Sequence, residues 1–326
     1  MTDITRRMLG ALAAGAVVPG AARAQAPWPS RSLRWIVPYA AGGGSDFLGR
    51  TLAAAVGTAI GQTIVVENRG GGATIPASEM AARSAPDGYT LLSADLTALV
   101  ITPAMARRLS YDPIRDFRPV APIARFPYVI LVNVDLPVRT AAELIALVKA
   151  RPNALNFAHA GTGTPNHLGT ERLIRATGIQ VSQVAYRGGA PAVTDLIAGV
   201  VQASVSDYAS AAPAIQGGRV RAIAVPSPQR LALLPDVPTL AEQGITGADV
   251  YSWQGVVVPT GTPDAIVSRL QVELDRALRD PEIAQRLRSV SLEPFPGTSE
   301  QMRELIATET QIWAPLIREL GLTLDS

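Results

Sequence analysis

The chain contains no cysteine, which removes disulfides, thiolate nucleophiles and every cysteine-containing metal site. It has one lysine, Lys149, and two histidines, His159 and His167. The lysine lies in the amphipathic run AELIALVKA, so it cannot serve a phosphate-binding loop. The histidines have no further ligand pattern around them, and no metal or cofactor is expected. Charged residues are 17% of the chain and neither sign forms a block, whereas nucleic-acid binding needs a concentrated basic surface. No apolar run reaches the ~20 residues of a membrane span.

What is present begins with a leader. ITRRMLGALAAGAVVPGAARAQA has paired arginines (Arg6, Arg7), a weakly apolar stretch and the small-residue site Ala22-Arg23-Ala24. This is the layout of an export signal of twin-arginine type, assigned to residues 1–26. Arg6, Arg7, Arg23 and Asp3 leave with it, which cancels the formal charge of +2. The expected product is an exported, neutral, periplasmic protein. At 326 residues and 48% hydrophobic, it has material for roughly two domains.

The remainder alternates short apolar runs with helical patterns. LRWIV, TIVVEN, YTLLSA, LNFAH, VSQVAY, VQASVS and RAIAV read as strands, with VAPIA, YVILVNV and YSWQGVVVP as further strands. Thr140 and Glu143 form a capping-box pattern before AAELIALVKA. Such alternation predicts α/β architecture with mostly parallel sheets, and the strand count favours two lobes. Three strands run into loops of small residues and then a helix start: YAAGGGSD, HAGTGTPNH and YRGGAPAV. Thr164 is the expected N-cap of the second helix, with Pro165 at its first position. In open parallel sheets these loops gather at the carboxyl ends of the strands, where helix N-termini attract anions. Taken singly, each loop is equally well a plain strand-to-helix turn.

Catalytic templates fail. Gly43-Gly44-Ser45-Asp46-Phe47 lacks the second glycine of a nucleophile elbow, and Gly161-Thr162-Gly163 lacks the third glycine of a dinucleotide fingerprint. Asp87 and Asp112 sit in turn sequences. Asp95 and Asp207 each close a strand. There they either cap a helix or point into a cleft, and in the cleft they favour an ammonium, amide or hydroxyl group.

The motifs WIVPYAAGGGSD, VVENRGGGATIPASEMAARSAPDGYTLL, LSYDPIRDFRPVAPIA, NFAHAGTGTPNHLGTERL, VAYRGGAPAVTDLIAG, RAIAVPSPQRLALLPDVPTLAEQG and VVVPTGTPDAIVSRL, in this order, cover nearly the whole chain after the leader. The sequence resembles the Bug, or TctC-like, solute-binding receptors of tripartite tricarboxylate transporters. The resemblance implies a type II periplasmic-binding-protein fold: two α/β lobes joined by two crossing strands, with a ligand cleft between them. Lobe 1 is expected at 27–127 plus 253–326 and lobe 2 at 128–252, with YVILVNV and YSWQGVVV as the crossing strands. It implies a small carboxylate ligand held largely by backbone N–H groups, and delivery to a small and a large multi-span membrane subunit by a monomeric receptor.

Carried over by motif, the binding residues are Tyr39, Ala41, Gly42, Gly43, Gly44 and Asp46 in the first loop and Ser93, Asp95 and Thr97 after the third strand. The second lobe supplies Gly161, Thr162, Gly163, Thr164 and His167, then Tyr186 and Asp207. His167 either donates to the ligand or ties its own loop. Where the family commonly has a small or hydroxyl residue, this chain has Asp95, which would repel a second ligand carboxylate. Either Asp95 turns away or the ligand carries a donor there. A periplasmic sensor reporting to a membrane kinase, and an exported enzyme on the same fold, are the alternative readings.

Overall fold

The computed structural model describes residues 28–324, so the expected leader lies outside the described residues. Apolar strands and amphipathic helices alternate as the pattern predicts. The first sheet is built from β1 (Leu33–Val37), β2 (Ile64–Asn68), β3 (Thr90–Asp95), β9 (Tyr251–Pro259) and the first part of β4 (Phe117–Asn133). Its strand order is β2-β1-β3-β9-β4, with β10 (Glu293–Pro294) on the far edge of β4. The second sheet takes the other end of β4 together with β5 (Asn156–His159), β6 (Ser182–Ala185), β7 (Ala203–Asp207) and β8 (Val220–Ala224). There the order β6-β5-β7-β4-β8 repeats the plan of the first. In both sheets the parallel strands are followed by one antiparallel strand, and this repetition makes two α/β lobes.

The crossing is made chiefly by β4. Its residues up to Pro127 pair with β9, and from Tyr128 onward they pair with β7 and β8. The sequence reads as two strands here because Pro119, Pro122 and Pro127 interrupt it. The ladder instead absorbs two of these prolines at register shifts, between Pro119 and Ala121 and between Pro122 and Ala124. Proline has no N–H to give a regular ladder, and a bulge removes that demand. The return crossing is short. Val250 N–H donates to Pro226 O at 2.8 Å beside the end of β8, and the next residue, Tyr251, pairs with Pro127.

Helices α1 (Gly44–Ile60), α2 (Ile75–Ala82) and α3 (Thr102–Met105) belong to the first half, α3 being reached through a wide helical turn at Thr97–Ile101. Helices α4 (Ala141–Ala150), α5 (Pro165–Thr177), α6 (Gly189–Ile197) and α7 (Tyr208–Gln216) flank the second sheet, and α8 (Asp264–Arg279), α9 (Pro281–Arg288) and α10 (Ser299–Glu319) return to the first. Leu48, Leu52 and Val56, four apart on α1, are buried in the core that holds Leu33, Trp35 and Val37 of β1. Each such side chain contributes about 1.5–3 kcal/mol of transfer free energy, which anchors the start of α1 against its sheet. The capping box of Thr140 and Glu143 forms on α4.

β1 lies between β2 and β3, and β5 lies between β6 and β7, so the connections leave in opposite directions at each of these strands. Such switch points open a crevice at the carboxyl ends of strands. The two crevices face each other.

Candidate functional site: an interlobe cleft

Both lobes aim helix starts at one cavity. It is lined by Gly43, Gly44 and Ser45 of the α1 start, Pro165 and Asn166 of α5, Gly189 of α6, and Asp207 and Ser210 of α7. Tyr39, Asp95, Phe126, Tyr128, Ala160, Ser252, Trp253 and Gln254 complete it. The lobes are closed on it. Gly44 N–H donates to Ser210 Oγ at 3.0 Å and Ala40 N–H donates to Arg187 O at 3.0 Å, both across the cleft. These direct contacts leave only about 30 Å³ between the lobes, so the lobes must part to admit anything larger than a water or two.

The glycines make this closeness sterically feasible. A Cβ on Gly44 would stand 2.7 Å from Asp207 Oδ1 and 3.2 Å from the Phe126 ring, and one on Gly189 would stand 2.5 Å from Ser210 Oγ. Helices α1 and α6 start on Gly43 and Gly188 with no side-chain cap, whereas α5 is capped by Thr164 and α7 by Asp207. Each lobe therefore presents to the cavity one helix N-terminus without a side-chain cap of its own and with partial positive charge; at α1 the first N–H, that of Gly44, is taken by Ser210 of the opposite lobe. Among the described residues, no lysine, arginine or histidine lines it.

Asp95 Oδ1 accepts from Ala98 N–H at 2.9 Å, and Oδ2 accepts the Tyr39 hydroxyl hydrogen bond. The Tyr39 hydroxyl also lies 3.2 Å from Thr97 Oγ1. Asp207 Oδ1 accepts from Ser210 N–H at 2.9 Å. Asp95 is 5% exposed and Asp207 8% exposed, and burial raises both carboxyls above their ordinary range despite the hydrogen bonds that lower them. Burial also raises Tyr39 and Tyr128, and the neighbouring aspartates add to it.

The other residues singled out from sequence have different places. Ala41 and Gly42 are exposed on the loop crest, where Gly42 N–H donates to Asp46 Oδ2 at 2.9 Å. Burial alone would raise Asp46, but Arg50 at 2.9 Å and the Gly42 N–H hold it below its ordinary range, so Asp46 locks the loop. Ser93 lies inside β3 and accepts from Trp35 Nε1 at 2.9 Å. Gly163 N–H donates to His167 Nδ1 at 3.2 Å, and Thr164 Oγ1 donates to Gly161 O at 2.6 Å, so His167 and Thr164 tie the second loop to itself. His159 packs on His167 with ring centroids 4.7 Å apart. Gly161, Thr162 and Tyr186 line a neighbouring groove with Gly71, Arg108 and Arg187. The Tyr186 hydroxyl donates to Asp195 at 2.6 Å.

Several cavity residues escape sequence reasoning: Phe126, Tyr128, Ser252, Trp253 and Gln254 come from the crossing region, and only sheet register brings them to the cleft. Ser210 had a local signal, since it lies three residues after the strand-closing Asp207 and takes its cap.

Residues 48–322 match the model of the tripartite tricarboxylate transporter family receptor. The chain is 36% identical over 328 residues to a Pseudomonas sp. (strain P51) protein described as the UPF0065 protein in the tcbD-tcbE intergenic region, covering 100% of this chain and 97% of that one. A solved R. palustris protein, Rpa4515 with adipate, superposes with a TM-score of 0.87 at 32% identity, over 91% of this chain and 99% of that one. MatC from Rhodopseudomonas palustris, with bound malate, superposes at 0.84 and 30% identity, over 89% and 100%. Sequence and fold agree over nearly all of the described chain: it belongs to the tripartite tricarboxylate transporter receptor family, and it is a periplasmic solute-binding receptor of the type II fold.

Proposed function

We propose that the receptor captures a small carboxylate between the bare N-termini of α1 and α6 and holds it by closure of lobes 27–127 plus 253–326 and 128–252. The observation that carries this reading is the pair of helix starts without a side-chain cap of their own, one from each lobe, at a cavity with no basic side chain among the described residues. An anion that caps both at once interacts with the closed arrangement more strongly than with the open one, and that difference drives closure. The relatives solved with adipate and malate support the ligand class. The loaded receptor then meets the small and large membrane subunits of its transporter, as an exported monomer in the periplasm. No helix among the described residues is long and apolar enough to cross a membrane. Binding without chemistry is the reading that the receptor family and the relatives solved with adipate and malate support, and the two histidines are engaged with Gly161 and Gly163 in their own loop.

The test is thermal shift on protein unfolded and refolded to strip carried-over ligand, against dicarboxylates, citrate, aromatic carboxylates, amino acids and amides. A ligand at 100 times its Kd stabilises by about 2.7 kcal/mol, several degrees of melting temperature. Failure of every carboxylate to shift a cooperatively melting protein sinks this reading.

A further inference from the structure

The cavity mixes two kinds of group that a plain dianion cannot satisfy together. The bare starts of α1 and α6 favour negative charge. Beside them are two buried carboxylates with no basic partner among the residues lining the cavity. Asp207 is the better compensated of the two. It caps α7, and its oxygens lie close to the glycine starts of α1 and α6. Asp95 caps only the wide turn at Thr97–Ile101, and its other neighbours are the hydroxyls of Tyr39 and Thr97. Directly across the β3–β9 ladder from Asp95 stands Gln254. Gln254 is 1% exposed, it lines the same cavity, and its Oε1 has no hydrogen-bond partner. Two paired strands thus bring a carboxylate and an unsatisfied amide oxygen to one wall. A buried acceptor left without a donor is costly, and a second anion placed against Asp95 is costlier still.

We infer that the ligand is a monocarboxylate whose second polar end is a hydrogen-bond donor, an ammonium or a primary amide held against Asp95 and Gln254, and that unsubstituted dicarboxylates are discriminated against. The inference rests on the carboxylate reading above and narrows it. The donor end supplies what the wall lacks, and an ammonium also neutralises a charge that closure removes from water. Rejection of the diacid comes from the same residue, because selectivity needs a repulsive element as well as an attractive one.

Isosteric triplets test it by calorimetry: succinate, succinamate and 4-aminobutyrate, then adipate, adipamate and 6-aminohexanoate. In each triplet one carboxylate is kept and the other is replaced by an amide or by an aminomethyl group that carries the ammonium, so the two donor types are read separately. The expected result is that at least one donor-bearing member binds at least about tenfold tighter than its diacid. Asp95→Ser keeps an oxygen to cap Ala98 N–H and is expected to shrink that preference to within about threefold, with ligand-free melting as the folding control. A diacid that binds as tightly as both of its relatives overturns the inference and leaves the carboxylate reading standing. A preference that survives unchanged in Asp95→Ser overturns the role of Asp95. Absence of binding by every compound, with normal melting, overturns the carboxylate reading and this inference together.

Discussion

The loop after β1 in the first lobe and the loop after β5 in the second occupy the same place in their sheets, yet they are built by opposite means. The first ends on Gly43 with no side-chain cap; Asp46 ties its crest at Gly42, but its ends bond across the cleft, Gly44 to Ser210 and Ala40 to Arg187. The second ends on Thr164 and Pro165, and its contacts run inward, from Gly161 and Gly163 N–H groups to the Nδ1 atoms of His159 and His167. One loop is stripped of side chains so that the other lobe can reach its backbone. The other is tied by its own side chains, which bond its backbone within the same lobe.

Acid separates the two most sharply. Burial pushes His159 down to about 4, with His167 adding to it, and burial pushes His167 down to about 4 as well. Their Nδ1 atoms accept hydrogen bonds, which protonation at that atom abolishes. A histidine depressed in the folded state favours folding while it is neutral. Stability is therefore complete above about pH 6.5 and declines as the pH falls toward 4, by up to about 3 kcal/mol for each group. Urea melts at pH 7, 5.5 and 4.5 should show this loss, and His167→Asn, which retains an acceptor oxygen and also takes the His167 charge away from His159, should remove more than half of it. An acid limb left intact by His167→Asn would place the loss elsewhere.

What was legible in the sequence was local. LRWIV spans β1 as read, the Thr140 and Thr164 caps form, and the glycine loops lie at strand ends. Periodicity, capping and turn chemistry are short-range signals, and they placed the α1, α5 and α6 starts. β4 read as two strands, because prolines are ordinary break signals and the bulges that accommodate them exist only once β9 is alongside. The cavity wall of Phe126, Tyr128 and Ser252–Gln254 comes from segments more than a hundred residues apart, brought together by register alone. The family resemblance pointed to Gly161 and Tyr186, which line the adjoining groove, and it left out Gly189 and Ser210, which lie at the cavity itself.

Filling the bare loop tests closure. In Gly44→Val the new Cβ would stand 2.7 Å from Asp207 Oδ1 and 3.0 Å from Ala209 Cβ, both in the opposite lobe. These two contacts exist only when the lobes meet, while the Phe126 ring, 3.2 Å away, belongs to the same lobe and makes ligand-free melting the folding control. The expected effect is at least about a hundredfold loss of ligand affinity, some 2.7 kcal/mol. Scattering in the presence of ligand should show the expanded, open form. Binding within threefold of the parent would mean that closure does not bring these backbones together.

Ser210→Ala is the milder form of the same test, because it removes one interlobe hydrogen bond and introduces no clash. Ser210 Oγ accepts the Gly44 N–H at 3.0 Å, while the bond from Ser210 N–H to Asp207 belongs to the main chain and survives the substitution. A typical hydrogen bond contributes about 1 kcal/mol, so affinity should weaken by roughly fivefold. The ligand-free melting temperature should hold, since in the open form both groups can turn to water. If melting falls as far as affinity does, the bond persists without ligand and the empty receptor is already closed. The bare loop of the first lobe would then serve stability in the same way as the self-tied loop of the second, and the contrast between them would reduce to which partner, a neighbouring side chain or the opposite lobe, each loop bonds to.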